Sequence, residues 1–148
     1  MMAPRHILFV CTGNTCRSPM AEAIWNAHFG NGVIAASAGV AAWDGAPPQE
    51  HAVHAVKMFG GELTGHSALS VANVKEQPDW VLTMTQDQAE SVHRIRPEWS
   101  ERIWPLSQFV GETGDISDPI GQGQDAYLAV ARRLHQLLGR LHHKLQEE

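Results

Sequence analysis

Cys11 and Arg17 stand at the two ends of one short segment, Cys11-Thr-Gly-Asn-Thr-Cys-Arg17, followed by Ser18 and Pro19. A cysteine offers a nucleophilic thiolate, and the planar fork of arginine holds two oxygens of a tetrahedral oxyanion at once, which the point charge of lysine cannot do. An isolated pair at this spacing is more often a buried structural cysteine and a surface arginine. The context separates the two readings. A β-rich apolar run, His6 to Val10, leads directly into the segment, Gly13 lies inside it, and Ser18-Pro19 marks a helix start just beyond. A loop between a strand end and a helix N-terminus can turn its backbone N–H groups towards one point, where the positive end of the helix dipole adds to them. Those N–H groups would hold an anion and would equally stabilise negative charge on the Cys11 sulfur. The chemistry on offer is attack by sulfur on a bound oxyanion.

Other elements must position that segment. After the strand His6 to Val10, a helix is expected from Ser18, as N-cap, to Gly30. A second strand is expected at Val33 to Ser37, a helix at Gln49 to Phe59, a third strand at Trp80 to Met84, a helix at Gln86 to Ile95, and a short fourth strand at Ile103 to Leu106. Tyr127, Val130, Ala131, Leu134, Leu137, Leu138, Leu141 and Leu145 recur at helical spacing and predict a long last helix with one apolar stripe. Strands alternating with helices predict an α/β fold, a four-stranded parallel sheet with helices on both faces.

A chain of 148 residues is expected to form one domain over 1–148, and the hydrophobic fraction of 43% suffices for a core without metal or disulfide support. The net charge of −5 argues against a nucleic-acid partner. Neither a signal-peptide core nor a membrane span is visible, which predicts a cytoplasmic location with reduced thiols. His51 with His54, and His142 with His143, lack partners at metal-ligand spacing, so no metal and no cofactor is expected.

Cys11-Thr-Gly-Asn-Thr-Cys-Arg-Ser-Pro19 resembles the signature loop of the low-molecular-weight protein tyrosine phosphatase family. Ala21-Glu-Ala23, Ser37-Ala-Gly39, His66 and Asp118-Pro119 extend the resemblance along almost the whole chain. It implies a doubly wound sheet with the loop after the first strand, at a topological switch point. It also implies roles. Cys11 would attack phosphorus and form a cysteinyl-phosphate, and Arg17 with the loop residues Thr12, Gly13, Asn14, Thr15, Cys16 and Ser18 would bind the phosphate. Asp118 would serve as general acid and then as base, although an Asp before Pro119 is also a common turn residue. Asn14, Ser18, Ser37 and His66 would form a supporting network behind the loop, with Asn14 tolerating a left-handed backbone. Cys16 would either pack the loop or trap an oxidised Cys11 as a disulfide, which would make the protein redox-sensitive. Partners would be a phosphorylated protein substrate and inorganic phosphate as product.

The surroundings of the loop bear on which phosphate. Thr15 stands where tyrosine-specific relatives carry a larger aliphatic residue, and Asp118-Pro-Ile120-Gly lacks the paired tyrosines of the eukaryotic enzymes. The threonine resembles that of bacterial protein-arginine phosphatases, so phosphoarginine is favoured over phosphotyrosine. Thr15, Trp43 and Ile120 are the candidate pocket residues, Trp43 being equally suited to packing. Arsenate reductases share the fold and loop but need further thiols, and no cysteine follows Cys16.

Overall fold

The computed structural model describes residues 4–30 and 32–147. Four strands, β1 (Arg5–Cys11), β2 (Val33–Gly39), β3 (Trp80–Thr83) and β4 (Ile103–Pro105), form one sheet in the order β2-β1-β3-β4, every pairing parallel. The order reverses between β2 and β3 around β1, which is the switch point expected to carry the loop. Helices α1 (Arg17–His28), α2 (Glu50–Lys57), α3 (Gln86–Ile95), α4 (Leu106–Phe109) and α5 (Gln124–Gln146) complete the fold.

The continuous apolar run of β1 follows from burial on both faces. Ile7, Phe9 and Cys11 pack into one core with α1, α2 and α5, while Leu8 and Val10 face a second, smaller core with Val92 of α3 and Trp99. The apolar stripe of α5 is buried along its whole length, from Tyr127 to Leu145. All four expected strands and four expected helices are present, with ends shifted by up to three residues. Sequence reasoning missed α4 and the 3-10 turns Val71–Asn73 and Pro97–Arg102, which are too short to show a period.

One expectation is corrected. The first helix begins at Arg17 with Cys16 as N-cap, and the Cys16 side chain makes no capping bond. Ser18 lies inside the first turn, fully buried, with its hydroxyl turned to the loop rather than to the helix N–H groups. The first-turn N–H groups are therefore free of a side-chain cap where the loop needs them.

Strand β2 lies at the edge of the sheet, and α1 covers that edge by hydrogen bonding. Asn26 donates to the carbonyl of Ala35 and accepts from its N–H, both at 3.1 Å, and the Trp25 indole donates to the carbonyl of Val33 at 2.9 Å. The Asn26 amide thus acts as a substitute strand residue on a part-buried edge. Asn26→Ala should cost about 1–2 kcal/mol of stability, two modest net hydrogen bonds, as read by urea denaturation. An unchanged midpoint would show that the edge does not depend on this pair.

Candidate active site

The loop between β1 and α1 closes on itself around Asn14. This residue is fully buried with φ of 58°, the one non-glycine positive φ among the described residues. Asparagine adopts that conformation more readily than most residues. Its side chain is almost fully used: Nδ2 donates to Ser18 Oγ at 2.8 Å and to Ser37 Oγ at 2.9 Å, and Oδ1 accepts from the Leu69 N–H at 2.9 Å. Its carbonyl meets His66 Nε2 at 2.8 Å. The four residues expected behind the loop are therefore brought together, with Leu69 as a fifth.

The same serine reaches Cys11: Ser18 Oγ accepts from Asn14, donates to the carbonyl of Ala38 at 3.4 Å, and lies 2.9 Å from Cys11 Sγ, where either atom can donate; a thiolate at Cys11 would accept from the hydroxyl. Cys11 thus sits at the end of β1, 2% exposed, with the Ser18 hydroxyl against its sulfur. Gly39 is required close by. A Cβ there would fall well inside contact distance of the Thr12 carbonyl and 3.0 Å from the Asn14 nitrogen, both backbone atoms that cannot retreat.

Arg17 is 5% exposed and reaches across the loop. Nη1 donates to the carbonyl of Ile116 at 2.8 Å, Nη2 lies 3.5 Å from Asp118 Oδ2, and Nε is buried without a protein partner. A buried guanidinium N–H left unpaired is costly unless an anion takes it. Asp118 is exposed, its Oδ1 accepting from the Ile120 N–H at 3.1 Å, in a turn ahead of α5. The remaining candidates have distinct places. Thr12 is exposed, Gly13 and Thr15 are partly exposed, and Cys16 is buried. Trp43, at 85% exposure, is not a packing residue, and Ile120 is also exposed.

Burial pushes the Cys16 thiol up, and the charges of Cys11 and Asp118 push it the same way, so Cys16 is held protonated. Both cysteines are free. No group of three or more metal-ligating side chains occurs among the described residues.

Three participants were not singled out from the sequence. Gln88 in the first turn of α3 donates to Thr12 Oγ1 at 3.1 Å and also closes a capping box with Thr85. The pattern Thr85-x-x-Gln88 was the available signal. The Gln49 N–H donates to the Thr15 carbonyl at 2.8 Å, fixing α2 to the loop, and had no signal. Glu22 accepts from Ser37 Oγ at 2.6 Å and so ends the chain Cys11–Ser18–Asn14–Ser37–Glu22.

A thiol at the end of a central parallel strand, a left-handed loop and an arginine spanning it are the parts of a cysteine-dependent phosphatase built on a doubly wound sheet. The family model "Low molecular weight phosphotyrosine protein phosphatase" matches residues 6–148, and the chain belongs to that family. A protein-arginine-phosphatase of Geobacillus stearothermophilus is 42% identical over 149 residues, covering 98% of this chain and 99% of the relative. The crystal structure of a low molecular weight protein tyrosine phosphatase from T. tengcongensis superposes with a TM-score of 0.88 at 38% identity, covering 95% of this chain and 99% of that one. A cysteine-to-serine mutant of the YwlE arginine phosphatase, with a phosphorylated active-site serine, also gives 0.88 at 32% identity and 97% coverage of both chains.

Burial raises the Glu22 carboxyl above its ordinary 4.5, against the lowering effects of the Ser37 hydroxyl and of His66. A raised folded value means that this group contributes stability below about pH 4.5 and loses it as pH climbs through the folded value. Glu22→Gln keeps an acceptor for Ser37 and removes the titration. The parent should therefore lose stability relative to Glu22→Gln as pH rises from 4 to 8, read as urea midpoints. Parallel profiles would contradict the assignment.

Proposed function

We propose that this chain hydrolyses a phosphorylated protein side chain through a cysteinyl-phosphate, with phosphoarginine as the favoured substrate and inorganic phosphate as product. The observation that carries the reaction type is the Arg17 guanidinium at the far end of the loop that starts at Cys11: buried, bound to the carbonyl of Ile116, 3.5 Å from Asp118, and with Nε unpaired. A phosphoryl group seated there takes up that N–H and the first-turn N–H groups of α1. The phosphorylated active-site serine in the YwlE mutant supports covalent transfer to the position of the nucleophile.

The steps balance as follows. Cys11 thiolate attacks phosphorus, the bond from phosphorus to the leaving nitrogen or oxygen breaks, and Asp118 delivers its proton to the leaving atom. Water then attacks the cysteinyl-phosphate, Asp118 takes its proton, and the sulfur–phosphorus bond breaks to release phosphate. Ser18 donates to the departing sulfur at 2.9 Å, favouring its loss as thiolate. The loop, Arg17 and Asp118 do the chemistry, whereas Ser37 and His66 hold Asn14 and act at one remove.

The preference for phosphoarginine rests on Thr15. Its backbone is fixed by Gln49 and its side chain is partly exposed, with Oγ1 on the Gly13 side of the loop. A hydroxyl there can pair with a polar guanidinium edge, which an aliphatic side chain cannot do. The similarity to the protein-arginine-phosphatase of Geobacillus stearothermophilus favours this choice. Phosphotyrosine is the second reading, favoured by the family description and by the exposed apolar surfaces of Trp43 and Ile120.

Thr15→Ile separates the two. It should lower kcat/KM for a phosphoarginine peptide by roughly 10-fold or more, since sites that hydrogen-bond a substrate discriminate more strongly than apolar pockets. Turnover of the matched phosphotyrosine peptide should be kept or raised. A parent enzyme that prefers phosphotyrosine, or equal responses of both substrates, would overturn the arginine reading.

A further inference from the structure

The most exposed large apolar side chain among the described residues, the Trp43 indole at 85%, stands on a segment whose backbone is tied down from several sides. The segment leaves β2 with the Val40 N–H on the Cys11 carbonyl at 3.0 Å and the Ala41 N–H on the Thr12 carbonyl at 2.9 Å. It returns with the Gln49 N–H on the Thr15 carbonyl, so both of its ends rest on the loop that follows β1. Between them, Trp43-Asp-Gly-Ala46 forms a tight turn, closed by the Ala46 N–H on the Trp43 carbonyl at 3.0 Å. Gly45, at φ of 90°, takes the third position, where a turn of this kind favours glycine. A fixed backbone under an indole that the fold leaves in water holds that side chain ready for a group from outside.

The turn is pinned through Asp44. Its Oδ1 accepts from the Ser70 N–H at 2.7 Å and its Oδ2 from Asn73 Nδ2 at 2.6 Å, both short, charge-assisted bonds. Two backbone bonds accompany them: the Gly45 N–H donates to the Ala68 carbonyl and the Ala68 N–H to the Ala46 carbonyl, each at 2.8 Å. The strap that receives all four, residues 66–73, also holds Asn14. His66 meets the Asn14 carbonyl, and the Leu69 N–H donates to its side chain. Asp44 therefore fixes the Trp43 turn to the same piece of chain that fixes the left-handed turn of the loop beginning at Cys11.

We infer that Asp44 is a positioning residue for the substrate: it holds the Trp43 indole as a fixed wall for the planar side chain that carries the phosphate. This inference rests on the phosphatase reading and adds to it the device that sets one face of the pocket. An indole stacks on the planar guanidinium group of phosphoarginine and equally on the ring of phosphotyrosine, so the wall serves either substrate. Without the pin, the wall has to be ordered at each binding event, a cost that falls on KM rather than on the chemistry at Cys11.

The test compares the parent with Asp44→Ala, Asp44→Asn, Trp43→Ala and the double variant Trp43→Ala with Asp44→Ala. Substrates are a phosphoarginine peptide, a phosphotyrosine peptide and acetyl phosphate, which brings a phosphoryl group but no side chain to lie on an indole. Asp44→Ala should raise KM for the parent's better peptide by roughly 3- to 10-fold, the worth of one aromatic contact, with kcat and both acetyl phosphate constants unchanged. Asp44→Asn, which keeps an acceptor for the Ser70 N–H, should recover most of that loss. In the Trp43→Ala background, Asp44→Ala should change KM by no more than about 2-fold, because the two residues act as one. The 15N heteronuclear NOE of the Trp43 indole N–H should fall in Asp44→Ala. Independent, multiplying effects in the double variant, an equal loss on acetyl phosphate, or an indole as ordered in Asp44→Ala as in the parent would overturn the pin. A loosened indole together with a parent that turns over none of the three substrates would instead overturn the phosphatase reading and leave the pin standing.

Discussion

The left-handed turn at Asn14 is the constraint on which the site depends. A buried asparagine at φ of 58° is tolerable because its amide finds Ser18, Ser37 and Leu69, and its carbonyl finds His66. Each partner comes from a different part of the chain: α1, β2 and two points of the long segment between α2 and β3. The loop therefore keeps its shape only when the fold around it is complete. A turn of this kind, held by side chains, leaves the loop's own N–H groups available to an anion. The close approach of Gly39 to the Thr12 carbonyl belongs to the same constraint, because β2 must lie against the loop for Ser37 to reach Asn14.

The setting of Cys11 follows from the same turn. Asn14 holds Ser18 in place, and Ser18 Oγ lies 2.9 Å from Cys11 Sγ, so the amide that stabilises the turn also sets the hydroxyl beside the sulfur. Glu22 closes the far end of this chain in a desolvated place where its charged form is disfavoured. Arg17 is tied differently, to the carbonyl of Ile116 and to Asp118, so the turn that carries Asp118 and the loop that follows β1 are positioned against one another through a single guanidinium.

Much of this was legible in the sequence, for identifiable reasons. β1 declared itself as a buried strand through its unbroken apolar run, and α5 through eight apolar residues at helical spacing, because burial imposes composition directly. The Cys11–Arg17 spacing was legible only with the strand before it and the helix after it. Ser18 was misread as a cap because its local sequence signal is that of an N-cap; Asn14, buried beside it, takes the hydroxyl into the network behind the loop. Glu22 and Gln49 were invisible as participants, the first because its partner Ser37 is fifteen residues away, the second because it acts through its backbone N–H. Residues that act through long-range hydrogen bonds leave no periodicity to read.

In the proposed reaction Cys11 carries the phosphoryl group between two half-reactions. The direct measurement is intact-protein and peptide mass spectrometry of rapidly quenched Asp118→Asn enzyme mixed with an activated aryl phosphate, whose leaving group needs little help while the hydrolysis step lacks its base. Transfer to Cys11 gives a burst of about one aryl group released per site and a matching mass gain of one phosphoryl group, located on Cys11 and lost after iodine treatment that cleaves the thiophosphate. Steady release without a burst, or phosphate found on any residue other than Cys11, would contradict it.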